Sequence, residues 1–120
     1  MSQQRENVRL QADRPVLVYM GKDRQPVHTY AVDLSGGGLL LAGPHVLEID
    51  EEIEFKLTLA ADREPIVGMG RVVRNDSRGR RAITFSQMSD GNRRRLVRFI
   101  FERERAERRR MLEADERNGN

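Results

Sequence analysis

Residues 30–41, YAVDLSGGGLLL, place a polar corner between two apolar runs. Asp33 and Ser35 stand just ahead of three consecutive glycines, where they can act as hydrogen-bond acceptor and donor. Glycine can take a positive φ and lets another backbone or a ligand come close, so the stretch predicts a turn between two strands. Corners of this kind on a rigid sheet are common places for binding sites.

The apolar runs on both sides belong to predicted strands over residues 27–32 and 39–42, and further strands are predicted over 15–20, 53–59, 66–74 and 81–85. Turn residues separate them, most clearly at 75–79, which has the composition of a hairpin turn. Six short strands at this spacing predict an all-β fold, a six-stranded antiparallel β-barrel, rather than alternating β and α units.

The hydrophobic period changes after Ser89, a residue type suited to a helix cap. Leu96, Val97, Ile100 and Phe101 recur at helical spacing, with Phe99 just off that stripe. They predict a helix of which one or two turns lie across a barrel opening.

Three segments follow from these patterns. Residues 1–13 lack either periodicity and are predicted to be a flexible N-terminal arm. Residues 14–101 form the barrel and its capping helix. Residues 102–120 are predicted to be a charged helical extension that frays from residue 116, because the apolar stripe nearly vanishes there among Arg and Glu.

Composition narrows the classes of function. A chain of 120 residues is one domain by the usual size prior, and without cysteine it has no disulfide or thiolate chemistry. No apolar run approaches the about 18 residues of a membrane span, so we expect a cytoplasmic protein. Neither His28 nor His45 has partners at metal-ligand spacing, and no nucleophile motif is present. We therefore expect a protein that is not an enzyme and has no metal or cofactor.

Arginine supplies 20 of the 22 basic residues. Its planar fork matches phosphate oxygens and the O6 and N7 atoms of guanine, whereas a carboxylate accepts from the guanine N1 and N2 edge. Arg5 and Arg9 near the N-terminus complement Asp33 in this sense. An anionic ligand that carries guanine would use both sets of groups.

These residues resemble the two hallmark motifs of the PilZ family, bacterial receptors for cyclic di-guanylate (c-di-GMP). The first motif, an arginine, three residues and an arginine, corresponds to Arg5-Glu6-Asn7-Val8-Arg9. The second, Asp or Asn, one residue, Ser, two residues and Gly, corresponds to Asp33-Leu34-Ser35-Gly36-Gly37-Gly38. The similarity continues through residues 70–74 and 82–85 and covers roughly residues 5–101.

The resemblance implies a role for each motif residue. Arg5 and Arg9 would clamp guanine and phosphate, Asp33 and Ser35 would hold a guanine edge, and Gly38 would shape the turn. The family usually has glycine where this chain has Ala82; we expect little effect on ligand contacts, since that position belongs to the barrel wall.

The function implied is a c-di-GMP receptor that passes the signal to a downstream effector protein through ordering of its N-terminal arm. The process would be motility, polysaccharide or biofilm control. The alternative is a ligand-independent adaptor or nucleic-acid-binding module that acts through the arginine-rich C-terminal helix. Interleaved glutamates and few aromatic residues disfavour nucleic acid as the partner.

Overall fold

The computed structural model describes residues 9–20, 25–44 and 46–118. They form seven elements: β1 (Leu10–Tyr19), β2 (Pro26–Leu34), β3 (Gly38–Leu41), β4 (Glu52–Leu57), β5 (Ile66–Asn75), β6 (Arg81–Met88) and α1 (Asp90–Asn118). The strands pair antiparallel in the order β1-β2-β3-β6-β5-β4, and β4 pairs with β1 to close a barrel. The predicted six-stranded antiparallel barrel with a C-terminal helix is confirmed.

The core lies inside this barrel, where inward-facing residues alternate with outward-facing ones. The Phe55 and Phe85 rings stack there with centroids 5.3 Å apart. Other buried members of the core come from every strand and include Val16, Val18, Ala31, Leu41, Ile53, Leu57, Ile66, Val72 and Ile83. This alternation leaves a second set of side chains on the outer face, where the candidate site lies.

Strand β1 begins earlier than predicted, at Leu10 rather than Pro15. Leu10 pairs with Leu34 of β2 and is only 3% exposed, so it belongs to the core. A register shift in the pairing with β2 lies between Gln11 and Arg14, but the inward positions still alternate through Ala12 and Arg14 to Val16. The small Ala12 and the charged Arg14 at inward positions hid the strand in the sequence. The predicted arm over residues 1–13 is therefore wrong for 10–13, and residues 1–8 lie outside the described residues.

Helix α1 covers the barrel end at which β6 finishes. The backbone N–H of Asn92 donates to Ser89 Oγ at 3.1 Å, which confirms the predicted cap. Leu96 and Ile100 are buried in the core cluster, at 0% and 2% exposure. The helix is thus attached by its first turns, as the spacing of apolar residues predicted.

Phe99 also packs against the core, although it lies off the predicted stripe. The guanidinium carbons of Arg14 and Arg103 lie 5.4 and 5.2 Å from the centroid of its ring. Arginine over an aromatic face is a favourable cation–π arrangement. The two guanidinium groups therefore cover a ring that the barrel itself buries only in part.

Beyond the barrel, α1 continues without interruption to Asn118, so the predicted fraying from residue 116 is wrong for 116–118. Its 29 residues correspond to a length of about 43 Å, which explains the longest dimension of 59 Å. Met111 and Leu112 are exposed on this extension. Among the described residues, no helix has the length and apolar character needed to cross a membrane.

The predicted hairpin turn between β5 and β6 is confirmed. The Asp76 carboxylate accepts hydrogen bonds from the backbone N–H groups of Arg78 and Arg80, both at 2.9 Å, and from the Arg80 side chain. Desolvation raises the pKa of Asp76, but these hydrogen bonds and the Arg80 charge outweigh it, so the pKa is lowered below its ordinary value. The turn thus holds its carboxylate in the ionised form.

Candidate functional site

A cavity of about 410 Å³ lies on the outer face of the barrel, beside the loop that joins β2 to β3. This volume falls within the range of small-molecule sites. Its lining comes from four regions of the chain: Arg9, Asp33, Ser35, Gly37, Gly38, Leu39, Leu40, Val73, Arg74, Ala82, Ile83 and Thr84. Arg9, Asp33, Ser35 and Gly38 are thus brought together as the sequence suggested, whereas Arg5 lies outside the described residues.

A bulge in β2 turns Asp33 toward this cavity. Ala31 and Leu34 are both fully buried, and a register shift lies between Ala31 and Asp33. Simple alternation from Ala31 would direct Asp33 into the core and Leu34 outward, but one extra residue in the strand reverses both. The carboxylate therefore reaches the outer face, where its side chain is 19% exposed.

Hydrogen bonds within the loop fix its shape. Ser35 Oγ donates to the Gly38 carbonyl and accepts from the Gly38 N–H, both at 3.1 Å. The Ser35 N–H also donates to the Gly38 carbonyl at 2.9 Å, and the Gly37 carbonyl accepts from the Phe85 N–H of β6 at 3.0 Å. The Ser35 hydroxyl thus closes the loop and keeps one lone pair for a further donor.

Gly38 is required by close approach rather than by a left-handed backbone. Its φ lies outside the left-handed region, and a Cβ at this position would overlap the carbonyl oxygen of Ile83. Any side chain would push β3 away from β6 and open the cavity wall. Glycine was predicted in this turn either for a positive φ or for close approach of another backbone, and at Gly38 the reason is close approach.

Arg9 and Asp33 form an ion pair across the mouth of the cavity. Arg9 Nη1 lies 3.8 Å from Asp33 Oδ2, and the Arg9 side chain is 60% exposed. A long, exposed pair of this kind contributes about 0–1 kcal/mol to stability. The ion pair can therefore break at little cost in free energy, which leaves both groups available to bind a ligand.

The floor of the cavity is apolar. Leu39 and Leu41 belong to the core, so Leu40 between them faces outward; it pairs with Asp33 on one side and Ala82 on the other. Ala82 therefore lines the cavity beside Leu40. Ala82 belongs to the barrel wall as expected, and this part of the wall lines the candidate site; that Ala82 has little effect on ligand contacts stays a prediction.

The far side of the cavity is formed by Val73 and Arg74 of β5. A register shift between Val72 and Arg74 sets two β5 residues opposite Ala82 alone. Sequence reasoning did not assign Arg74 to the site. The arginine type was the available signal, but its position relative to Asp33 depends on the strand order, which brings β6 between β3 and β5.

The described residues contain no group of three or more His, Cys, Asp or Glu side chains arranged to hold a metal ion. The chemistry of the cavity is instead that of a carboxylate, guanidinium groups, hydroxyls and an apolar floor. Such a site can bind a ligand that carries hydrogen-bond donors, acceptors and a flat ring.

The chain belongs to the PilZ domain family, whose model matches residues 3–102. That range includes both arginines of the N-terminal motif, the whole barrel and the first turns of α1. Comparison with curated protein sequences gave no match.

Solved structures share the fold at low sequence identity. The Bacillus subtilis inhibitor of motility (MotI/DgrA) superposes with a TM-score of 0.70 at 19% identity, covering 84% of this chain and 51% of that one. The PilZ domain of Escherichia coli YcgR, solved with c-di-GMP, gives 0.64 at 19% identity and coverage of 86% and 93%. The PilZ domain of CeSA from a cellulose-synthesising bacterium gives 0.61 at 23% identity and coverage of 80% and 97%. The chain thus spans about half of the B. subtilis protein and nearly all of the two isolated domains.

Proposed function

We propose that this protein is a receptor for c-di-GMP that binds the ligand in the cavity beside the β2–β3 loop and performs no catalysis. The observation that carries the proposal is the convergence of Arg9 with Asp33, Ser35 and Gly38 around one cavity, although Arg9 and Asp33 are 24 positions apart in sequence. Membership of the PilZ family and the c-di-GMP bound to the YcgR domain support it.

Each motif residue has a role suited to its chemistry. Asp33 can only accept hydrogen bonds when ionised, and the N1–H and N2–H₂ groups of guanine offer two parallel donors. Arg9 donates to a phosphate oxygen or to guanine O6 and N7, and Arg5 is assigned the same function on the N-terminal side. The Ser35 hydroxyl and Gly38 hold the loop in the shape that presents Asp33.

Ligand binding would replace the Arg9–Asp33 pair with stronger contacts. The pair is 3.8 Å long and its arginine is mostly exposed, so breaking it costs little. The predicted arm that carries Arg5 and Arg9 would then fold over the ligand and change the surface offered to a partner. The partner would be an effector protein of motility, polysaccharide or biofilm control.

Titration calorimetry of the full chain with c-di-GMP tests the proposal. We expect micromolar or tighter binding, and the same titration gives the number of ligand molecules per chain. Cyclic di-adenylate is the matched comparator, because adenine presents an acceptor at N1 where guanine presents a donor. Since Asp33 would then face another acceptor, we expect binding to be weaker by about 100-fold or more.

Two outcomes would contradict the receptor assignment. One is an absence of binding heat together with an unchanged melting temperature at high c-di-GMP concentration, which would indicate that the protein acts through α1 and its partners. The other is equal affinity for both cyclic dinucleotides. Hydrogen exchange adds a test of the signalling step, because residues 4–10 should gain protection when ligand binds.

A further inference from the structure

We propose that Arg74 is a third arginine of the ligand site and binds the half of the ligand that lies farthest from Asp33. The assignment rests on the proposed function, since it concerns the same cavity and the same ligand. It adds a binding residue from β5, a strand that contains neither hallmark motif.

Two bulges, one in β2 and one in β5, border the cavity. The one in β2 turns Asp33 outward, and the one in β5 sets Val73 and Arg74 opposite Ala82. In a regular strand Arg74 would follow Val72 to the inward face, since the two are two residues apart and Val72 is fully buried. The bulge instead leaves Arg74 exposed and in the cavity wall.

Cross-strand pairing gives the distance between the two charged edges. Asp33 pairs with Leu40, Leu40 with Ala82, and Ala82 with Arg74, so one row crosses β2, β3, β6 and β5. Three strand spacings amount to about 14 Å between the backbones at the two ends. The side chains of Asp33 and Arg74 therefore approach a ligand from opposite sides, above the Leu40 and Ala82 floor.

The chemistry of c-di-GMP suits this arrangement, because the molecule has two guanines and two phosphates. Asp33 accepts from the donor edge of one guanine, whereas Arg74 can only donate. Arg74 therefore requires acceptors, and the second half of the ligand supplies them as phosphate oxygens or as guanine O6 and N7. The carboxylate and the guanidinium thus bind opposite halves of one symmetric molecule.

Calorimetry on Arg74→Ala tests the assignment. We expect c-di-GMP affinity to fall about tenfold to 100-fold relative to the native chain, as for loss of a bidentate arginine contact. The melting temperature should not change, since Arg74 is exposed. Arg74→Lys shows which acceptor Arg74 binds. If the acceptor is a phosphate, the lysine variant should retain most of the affinity for c-di-GMP; if it is guanine O6 and N7, which need two parallel donors, the affinity should be lost.

Arg71→Ala is the matched control. Arg71 is exposed on the same strand, but its Nη2 donates to Glu52 of β4 at 2.9 Å, away from the cavity. The affinity of Arg71→Ala for c-di-GMP should equal that of the native chain. If the native chain binds and Arg74→Ala binds equally well, the role of Arg74 is overturned while the receptor stands. If the native chain does not bind, the receptor fails and this assignment with it.

A separate hydrogen bond leads us to infer that Arg93 couples the ligand loop to α1. Arg93 lies in the first turn of α1, and its Nη1 donates to the Gly36 carbonyl at 3.2 Å. Gly36 belongs to the Ser35–Gly38 loop that presents Asp33. A shift of this loop on ligand binding would therefore move an acceptor that the helix holds, and α1 extends that movement beyond the barrel.

Hydrogen exchange of α1 with and without c-di-GMP tests the coupling. In the native chain we expect ligand to change the exchange of residues 90–100 by at least twofold, and in Arg93→Ala we expect most of that change to disappear while binding persists. Arg94→Ala is the control, because Arg94 is the exposed neighbour on the same helix and should respond like the native chain. The inference would be overturned if ligand changed the hydrogen exchange of α1 equally in Arg93→Ala and in the native chain. It would also be overturned if ligand caused no change in α1 of the native chain.

Discussion

Asp33→Ala is expected to weaken c-di-GMP binding by about 100-fold, the largest loss for any single substitution in the cavity. The carboxylate is the group that can accept from both donors of a guanine edge, and hydrogen bonds to a charged acceptor contribute about 1.5–3 kcal/mol each. Arg9→Ala is expected to lose at least about tenfold, since one bidentate contact disappears. Calorimetric titration of each variant beside the native chain gives both values.

The Asp33 result separates binding from folding because the charge pair at the cavity mouth is weak. Arg9 Nη1 and Asp33 Oδ2 are 3.8 Å apart, so loss of the pair should leave the melting temperature within about 5 °C of the native value. Asp62→Ala is the control: Asp62 is an exposed carboxylate in the turn between β4 and β5. Native affinity in Asp33→Ala would refute the role of this carboxylate.

Leu96→Ala is expected to be strongly destabilising. Leu96 is fully buried where α1 packs against the barrel, and replacing a buried leucine by alanine costs about 2–5 kcal/mol. For a chain of this size we expect a fall in melting temperature of about 10–20 °C, measured by circular dichroism or calorimetry. The capping turns of α1 would then be a part of the folded domain that the barrel needs.

Leu112→Ala on the same helix is the matched control. Leu112 is 59% exposed on the extension, so its loss should change stability by less than about 0.5 kcal/mol. Equal shifts in the two variants would contradict the packing of α1 on the barrel. A stable Leu96→Ala variant would show that the barrel folds without its helical cover.

Much of the fold was predictable because local patterns carry it. Alternation at Ile53, Phe55 and Leu57 predicted β4, and the spacing of Leu96 and Ile100 predicted the buried face of α1. These signals are local, since each residue of a strand or helix has its direction set by its neighbours. The motif residues indicated the chemistry of the candidate site through their side-chain types and through their resemblance to the PilZ motifs.

The beginning of β1 was not predictable in the same way. Leu10 is buried where β1 pairs with Leu34, but the next inward positions are the small Ala12 and the charged Arg14, so the sequence shows no apolar alternation there. The buried Arg81 side chain, whose Nε donates to the Leu47 carbonyl at 2.8 Å, is a similar case. Both depend on partners that are distant along the chain.

The amino-acid sequence alone therefore accounts for the strands, the helix and the chemical types gathered at the β2–β3 corner. Tertiary structure decided which of those side chains face the cavity. A bulge reverses the faces of a strand, and the bulges before Asp33 and Arg74 are defined only by pairing with β3 and β6. The same pairing places Ala82 and Arg74 in the wall of the site, because β6 lies between β3 and β5, an order that arises only when the barrel closes.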